Sequence, residues 1–298
     1  MDDKKYALKE SYEAIIDIQN KTKYPKVLIG IVTSVHKMYC LPQFMKHLRN
    51  INYPNYEVLI VDNSPEDQAT NFCRSMREVG YTVIHHERIK HTRDNLVKSR
   101  NMLVDYFVKH NEDNPNEQFE HFFSLESDVC PAPDVIQELM KNQVNCVSGV
   151  YMNGKVYPAD ETRKHEMHTW IPMAWQYPED GIEELNVLRP MEILKDIVPS
   201  ELQRVQSTGL GLLLISKMVV EKLQKLGGFK VELDSVACDD MYFFMDVTKM
   251  CDKCDYISDK YIRVCPKCGS HCVWSHLDSK VWAKHLHSEW GPELRKNR

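Results

Sequence analysis

The sequence predicts an α/β protein built on a doubly wound, mostly parallel sheet with flanking helices. Three observations lead there. Over the first 130 residues, short apolar runs alternate with helix-length stretches. The runs are apolar throughout rather than alternating, as strands buried on both faces should be. Each run also ends in polar or acidic residues, which gathers those residues along one edge of the sheet, where open α/β sheets bind their ligands.

The elements follow in order. Residues 6–20 carry Ala7, Leu8, Tyr12, Ile15 and Ile16 near helical spacing and predict a leading helix, ended by Pro25. Lys26–Val32 is a buried strand, followed by the polar turn Thr33, Ser34, His36 and a helix over Leu41–Ile51. Glu57–Val61 is a second strand, ending in Asp62-Asn63-Ser64. A helix over Gln68–Val79 stops at Gly80, and Thr82–His85 is a third strand. Residues 91–107 predict a helix bearing Arg93, Lys98 and Arg100, charges suited either to a diphosphate or to an ordinary solvated face. His110–Glu120 is polar and predicts a surface loop. The fourth strand runs Phe122–Asp128, an apolar run ending in Glu126-Ser127-Asp128, and is stopped by Pro131 and Pro133. Residues 151–190, with Trp170, Trp175, Tyr177 and four prolines, predict an irregular loop near an acceptor. Ser279–Trp290 predicts an amphipathic helix.

Glu126 and Asp128 lie one residue apart, so on a strand they point the same way. Paired hard oxygens at such an edge suit Mg²⁺ or Mn²⁺ holding a diphosphate, although two acids also suit an exposed loop. Asp62 can accept hydrogen bonds from a base or ribose, or cap the next helix. Neither G-x-G-x-x-G nor G-x-x-x-x-G-K occurs, which argues against a Rossmann dehydrogenase and a P-loop NTPase.

Bulk properties narrow the classes further. Net charge is −5, so nothing global advertises nucleic acid or an acidic membrane. No apolar run approaches the roughly 20 residues that span a bilayer. Met1-Asp2-Asp3-Lys4-Lys5 lacks the apolar core of a signal peptide. Of the ten cysteines, four form a tight cluster and the others are scattered, which is not the pattern of a disulfide frame. A cytoplasmic, reducing location is the expectation. The cluster is Cys251-x-x-Cys254 and Cys265-x-x-Cys268-Gly269. Two C-x-x-C pairs complete a closed, structural zinc tetrahedron, with His271 and Cys272 as alternative ligands.

The order "apolar strand–Thr; apolar strand–Asp-Asn-Ser; Arg-Asn on a helix; Phe-Phe-Ser-Leu-Glu-Ser-Asp" resembles the nucleotide-sugar half of family-2-like GT-A glycosyltransferases. The resemblance continues in Ser207–Ile215, in Asp239-Asp240 followed by Phe243, and in Val273–His276, and covers about 25–280. It implies a GT-A fold, Rossmann-like, with a zinc ribbon inserted. Residues 25–150 would be the donor half and 151–298 the acceptor half, with the ribbon at 249–272 and a helix at 1–24. It implies that Thr33, Asp62, Arg93, Arg100, Asn101, Glu126 and Asp128 hold a nucleotide-sugar donor, expected to be uridine-linked. Glu126 stands where the family has Asp, so Asp128 is expected to carry the metal contact, with His276. Asp240 is expected to be the base of an inverting transfer and Asp239 to hold the acceptor. Mn²⁺ or Mg²⁺ and a structural Zn²⁺ are the implied cofactors, and the acceptor is a saccharide, protein or modified nucleic acid. Two alternatives stay open: a zinc-ribbon nucleic-acid-binding protein, and a glycosyltransferase acting on modified bases in DNA.

Overall fold

A computed structural model describes residues 24–89, 91–157, 167–176, 189–191, 195–232 and 238–286. Its strands begin with β1 Val27–Thr33, β2 Tyr56–Asp62, β3 Thr82–His85, β4 His121–Leu125, β5 Val129–Cys130 and β6 Cys146–Tyr157. Further along come β7 Met167–Pro172, β8 Ala174–Gln176, β9 Arg189–Pro190, β10 Leu202–Val205, β11 Ser207–Thr208, β12 Leu212–Ser216 and β13 Ser275–His285. The centre is a ten-stranded sheet whose main path runs β10-β13-β6-β12-β4-β1-β2-β3. Strands β3, β2, β1 and β4 are mutually parallel; β12 is inserted antiparallel, and β6 and β13 resume the first direction. Strands of the chain's two halves thus share one sheet.

The apolar strands are buried on both faces, as their composition requires. Ile29, Ile31 and Phe123 pack under the helix Leu41–Arg49 on one side, while Leu28, Leu59 and Phe122 meet the helices Thr92–Asp113 and Lys217–Lys225 on the other. Each run of parallel pairing ends with its polar residue at one level: Thr33 is in register with Asp62, and Asp62 with His85. This is the edge the sequence predicts.

Three expectations change. The helix from Thr92 continues to Asp113, so His110–Asp113 belongs to it and not to a loop; Asn111, buried within, closes it by bonding both backbone groups of Phe119. Within 151–190 the described residues are strands, not irregular loop: β6 runs to Tyr157 and pairs antiparallel with β7. Ser279–His285 is strand, not amphipathic helix, because Trp282 and Ala283 pair with β6 and Lys284 and His285 with β5. An irregularity between Asp278 and Trp282 breaks the two-residue alternation and leaves apolar positions at helix-like spacing. The predicted N-terminal helix, Tyr177 and Trp290 lie outside the described residues.

Candidate active site

Glu126 and Asp128 are not on the strand as expected: β4 ends at Leu125, where the backbone turns towards β5, and both acids stand in that turn, with a glycine-bearing segment pressed against them. An added Cβ on Gly209 would stand 1.9 Å from the Tyr151 hydroxyl oxygen, and one on Gly211 would stand 2.8 Å from Glu126 Oε2. The two glycines therefore let the backbone before β12 touch the site, and Gly211 N donates to the fully buried Tyr151 hydroxyl at 3.0 Å.

Arg100 lies at the centre. From the helix Thr92–Asp113 it donates through Nη2 to Glu126 Oε1 at 2.8 Å and through Nη1 to Asp239. It thereby ties the acidic strand end to the start of the helix Asp239–Val247. Burial pushes its pKa down, but Asp239 and Glu126 hold it above its ordinary value. Asp240 is the other member of the pair. Its Oδ1 accepts the Met241 N–H at 2.7 Å, and burial and the neighbouring Asp239 charge lift its carboxyl to about 6. One acid of the pair is thus locked in an ion pair, while the other stands close to neutral pH.

Asp128 lies in a charged nest. Its Oδ2 pairs with Lys37 and accepts from the Tyr39 hydroxyl at 3.3 Å. His285 Nε2 is 3.6 Å from Oδ1, too long for a hydrogen bond, and Oδ1 is a buried oxygen without a hydrogen-bond partner among the described residues. Burial alone would raise Asp128; His285 and Lys37 hold it well below the usual carboxylate range. Glu126, Asp128 and His285 offer ligand atoms within 4.8 Å of one another, a hard oxygen set with one imidazole. An orphaned buried carboxylate oxygen facing an imidazole fits a divalent cation.

His276 is not brought to Asp128. Its ring bonds Cys146 O at 3.3 Å, and in β13 it is paired with Val147. His285 lies roughly 25–30 Å further along an extended strand, which carries it to the level of Asp128. A sequence signal exists in His285-x-His287, but a helical reading of that stretch turns its histidines to the surface. Lys37, Tyr39 and Tyr151 carry no motif that would single them out.

The remaining donor-side residues are placed as follows. Thr33 ends β1, with a buried Oγ1 that has no hydrogen-bond partner among the described residues. Asp62 ends β2 fully buried and is consumed internally: Oδ1 accepts from Ser64 N and Oγ, and Oδ2 meets His85 Nδ1 at 2.8 Å and Cys73 Sγ at 3.3 Å. Arg93 stands in the first turn of its helix, close enough to Cys238 to lower that thiol's pKa against the burial that raises it. Asn101 bonds Phe229 N and O and so holds the turn at Gly228, whose φ is +79°. Its amide is occupied by backbone rather than turned to a ligand. A groove of about 510 Å³ lined by Glu66, Cys73, Arg77 and His85 lies beside β3, not over Asp128.

The four clustered cysteines gather as their spacing predicts. Cys251 and Cys268 Sγ are 3.4 Å apart, Cys254 and Cys265 Sγ 3.6 Å, and all four lie within 4.8 Å of one another. A zinc tetrahedron needs about 3.8 Å between sulfurs. Cys272 and His271 stay outside: Cys272 bridges the backbone of Cys251, and His271 bonds Arg263 O at 2.9 Å. Lys222, buried, donates to Cys251 O and Cys254 O at 2.5 Å and hooks the knuckle to the helix Lys217–Lys225. On the ribbon Lys267 pairs with Asp255 and Lys249 with Asp246, while Lys253, Lys260 and Arg263 are exposed.

Such a sheet, with acids at its carboxyl edge and an acidic pair opening a helix across from them, is the GT-A arrangement of glycosyltransferases. The model of the family described as "Glycosyl transferase family 2" matches residues 31–194, more than half of the chain, and the protein belongs to that family. Among solved structures it is similar to the mannosyltransferase PcManGT from Pyrobaculum calidifontis, in complex with GDP-Man and Mn²⁺. That match has 14% identity and a TM-score of 0.48, covering 92% of this chain and 60% of that one. It is also similar to residues 1–349 of S. aureus TarS, at 14% identity and a TM-score of 0.41, covering 74% and 54%. The chain thus spans little more than half the length of either. No curated protein matches it significantly. Among the described residues, no helix is long and apolar enough to cross a membrane.

Proposed function

We propose that the protein transfers a sugar from a nucleoside-diphosphate sugar, uridine-linked, to an acceptor hydroxyl, with inversion and with Asp240 as the general base. The observation that carries this reading is the division of labour between adjacent acids: Arg100 occupies Asp239, while Asp240 accepts the Met241 N–H and is lifted to about 6. A base works best with a pKa near the working pH, and a carboxylate bound to guanidinium is a poor one. Membership of glycosyltransferase family 2 supports the reaction class.

The donor would lie along the edge formed by Thr33, Glu126 and Asp128. Mn²⁺ or Mg²⁺ held by Asp128, with His285 in place of His276, would neutralise charge on the leaving diphosphate as a Lewis acid. Arg100 fixes Glu126 and Asp239 in one rigid unit, so donor-side and acceptor-side acids keep their separation. Asp240 accepts the acceptor's hydroxyl proton as the sugar carbon is attacked. The internal bonds of Asp62 leave it to shape the wall at the end of β2 rather than read the base directly. The four-cysteine knuckle would hold a structural Zn²⁺, since its sulfur separations are close to a tetrahedron's and all four positions are filled by protein. A cytoplasmic location agrees with four gathered free thiols.

Calorimetric titration with UDP, GDP and CDP, with and without Mn²⁺, tests the donor class. Metal-dependent binding of UDP above the others is expected; no binding of any of the three refutes the nucleotide-sugar reading.

A further inference from the structure

Resting on the donor site just described, we propose that Lys37 is a resident counter-ion that competes with the divalent cation for Asp128 and couples metal binding to nucleotide binding. The two cations of the site differ in kind. The Arg100 side chain is 7% exposed and tied to two acids, which makes it a fixed strut. The Lys37 side chain is 39% exposed and touches one carboxylate oxygen, Asp128 Oδ2, so its head can leave along a flexible stem.

Its backbone is held while its head is not. Lys37 ends a single 3-10 turn, Val35–Lys37, directly after β1. Val35 N donates to Ser64 Oγ at 2.7 Å, and Ser64 Oγ in turn donates to Asp62 at 2.5 Å. Cys40 Sγ lies 3.1 Å from Lys37 O. The turn is thus anchored to the ends of β1 and β2, and only the lysine stem is left to move. Tyr39, just after the turn, meets the same Asp128 oxygen at 3.3 Å and Leu286 O at 3.3 Å, and so fixes the far side of the nest.

Competition follows from charge. Asp128 is the acid of the strand end whose counter-ion is removable, because Glu126 already shares Arg100 with Asp239. A divalent cation reaching Oδ1 would repel the ammonium on Oδ2 of the same carboxylate. Without nucleotide the displaced ammonium keeps only the weaker pull of Glu126, which Arg100 already holds, and water. With a diphosphate present it meets phosphate oxygens at a surface shared by the end of β1 and Asp128. Metal and nucleotide therefore favour one another, and by linkage each strengthens the other by the same factor. Lys37 lowers metal affinity in the empty site and returns that loss when the diphosphate arrives.

The test measures free Mn²⁺ by electron paramagnetic resonance, on the full chain, for wild type, Lys37→Met and Lys37→Arg, each with and without UDP. Matching melting curves establish that the variants are folded. Lys37→Met is expected to bind Mn²⁺ alone more tightly, by roughly 5-fold or more, and to lose most of the UDP-induced gain, the ordinary range for such coupling being about 5–150-fold. Lys37→Arg keeps the charge and is expected to follow the wild type. Unchanged or weaker Mn²⁺ binding by Lys37→Met overturns the proposal while leaving the donor site intact. Failure of all three proteins to bind Mn²⁺, with or without UDP, removes the metal site itself and the proposal with it.

Discussion

Replacing Arg100 by Met is expected to destabilise the protein markedly, and more so at alkaline pH. The substitution keeps an unbranched apolar stem but removes both ion pairs, to Glu126 at 2.8 Å and to Asp239. The Asp239 side chain, 9% exposed, loses its Arg100 partner, whereas that of Glu126, 35% exposed, is partly taken up by water. Removing one partner of a buried pair costs about 3–5 kcal/mol, and the partial exposure of Glu126 favours the lower end. For a protein of this size that corresponds to a fall in melting temperature of roughly 5–8 °C. Arg100 also opposes the burial that raises Glu126 and Asp240, so both carboxyls rise further in the variant. A carboxyl whose folded pKa exceeds its unfolded value loses stability as pH climbs through it. The deficit is therefore expected to widen between pH 5 and pH 8. Thermal unfolding followed by circular dichroism at both values measures it. A fall under about 2 °C at both, in the range of an ordinary surface change, refutes the strut.

Three further outcomes are expected. Gly209→Ala would push a methyl group into the buried Tyr151 hydroxyl and cost about 1–3 kcal/mol by overpacking, read as a lower urea midpoint; adding Tyr151→Phe should recover part of it. Cys265→Ser should release one equivalent of Zn²⁺ on metal analysis and lower the melting temperature, while Cys272→Ser retains the metal, because Cys272 lies outside the cluster. His285→Gln should weaken Mn²⁺ binding by about 10-fold or more, as loss of a ligand or its orienting partner does; His276→Gln, whose ring bonds Cys146 O, should leave it unchanged.

The parallel half of the fold is legible because doubly buried strands have an unmistakable composition: β1 to β3 lie within a residue of where it places them, while β4 ends at Leu125, three residues before Asp128. The four-cysteine knuckle is legible because thiolate spacing alone specifies it. What could not be read depends on pairings distant in sequence. The strand character of Ser279–His285 exists only beside β6 and β5, and its irregular register disguises the alternation. Reading that stretch as a helix hides His285 and leaves His276 as the apparent ligand. Asn101 and Asp62 sit where a motif expects ligands, yet contacts to Phe229, Ser64 and His85 occupy them, and no local pattern announces those partners. Arg100 is legible as a positive charge but not as the strut between Glu126 and Asp239, both of which lie far from it in the chain.

The most direct test of the account is turnover of a UDP-sugar by Asp240→Asn beside the wild type, followed by release of UDP across pH 5 to 8. The account expects UDP affinity to survive, release to fall by about 10²–10⁴-fold as for loss of a general base, and the wild-type rate to decline below about pH 6 as Asp240 protonates. Near-normal release by Asp240→Asn, with Asp239→Asn inactive at an unchanged melting temperature, would contradict it and place the base on the residue that Arg100 holds.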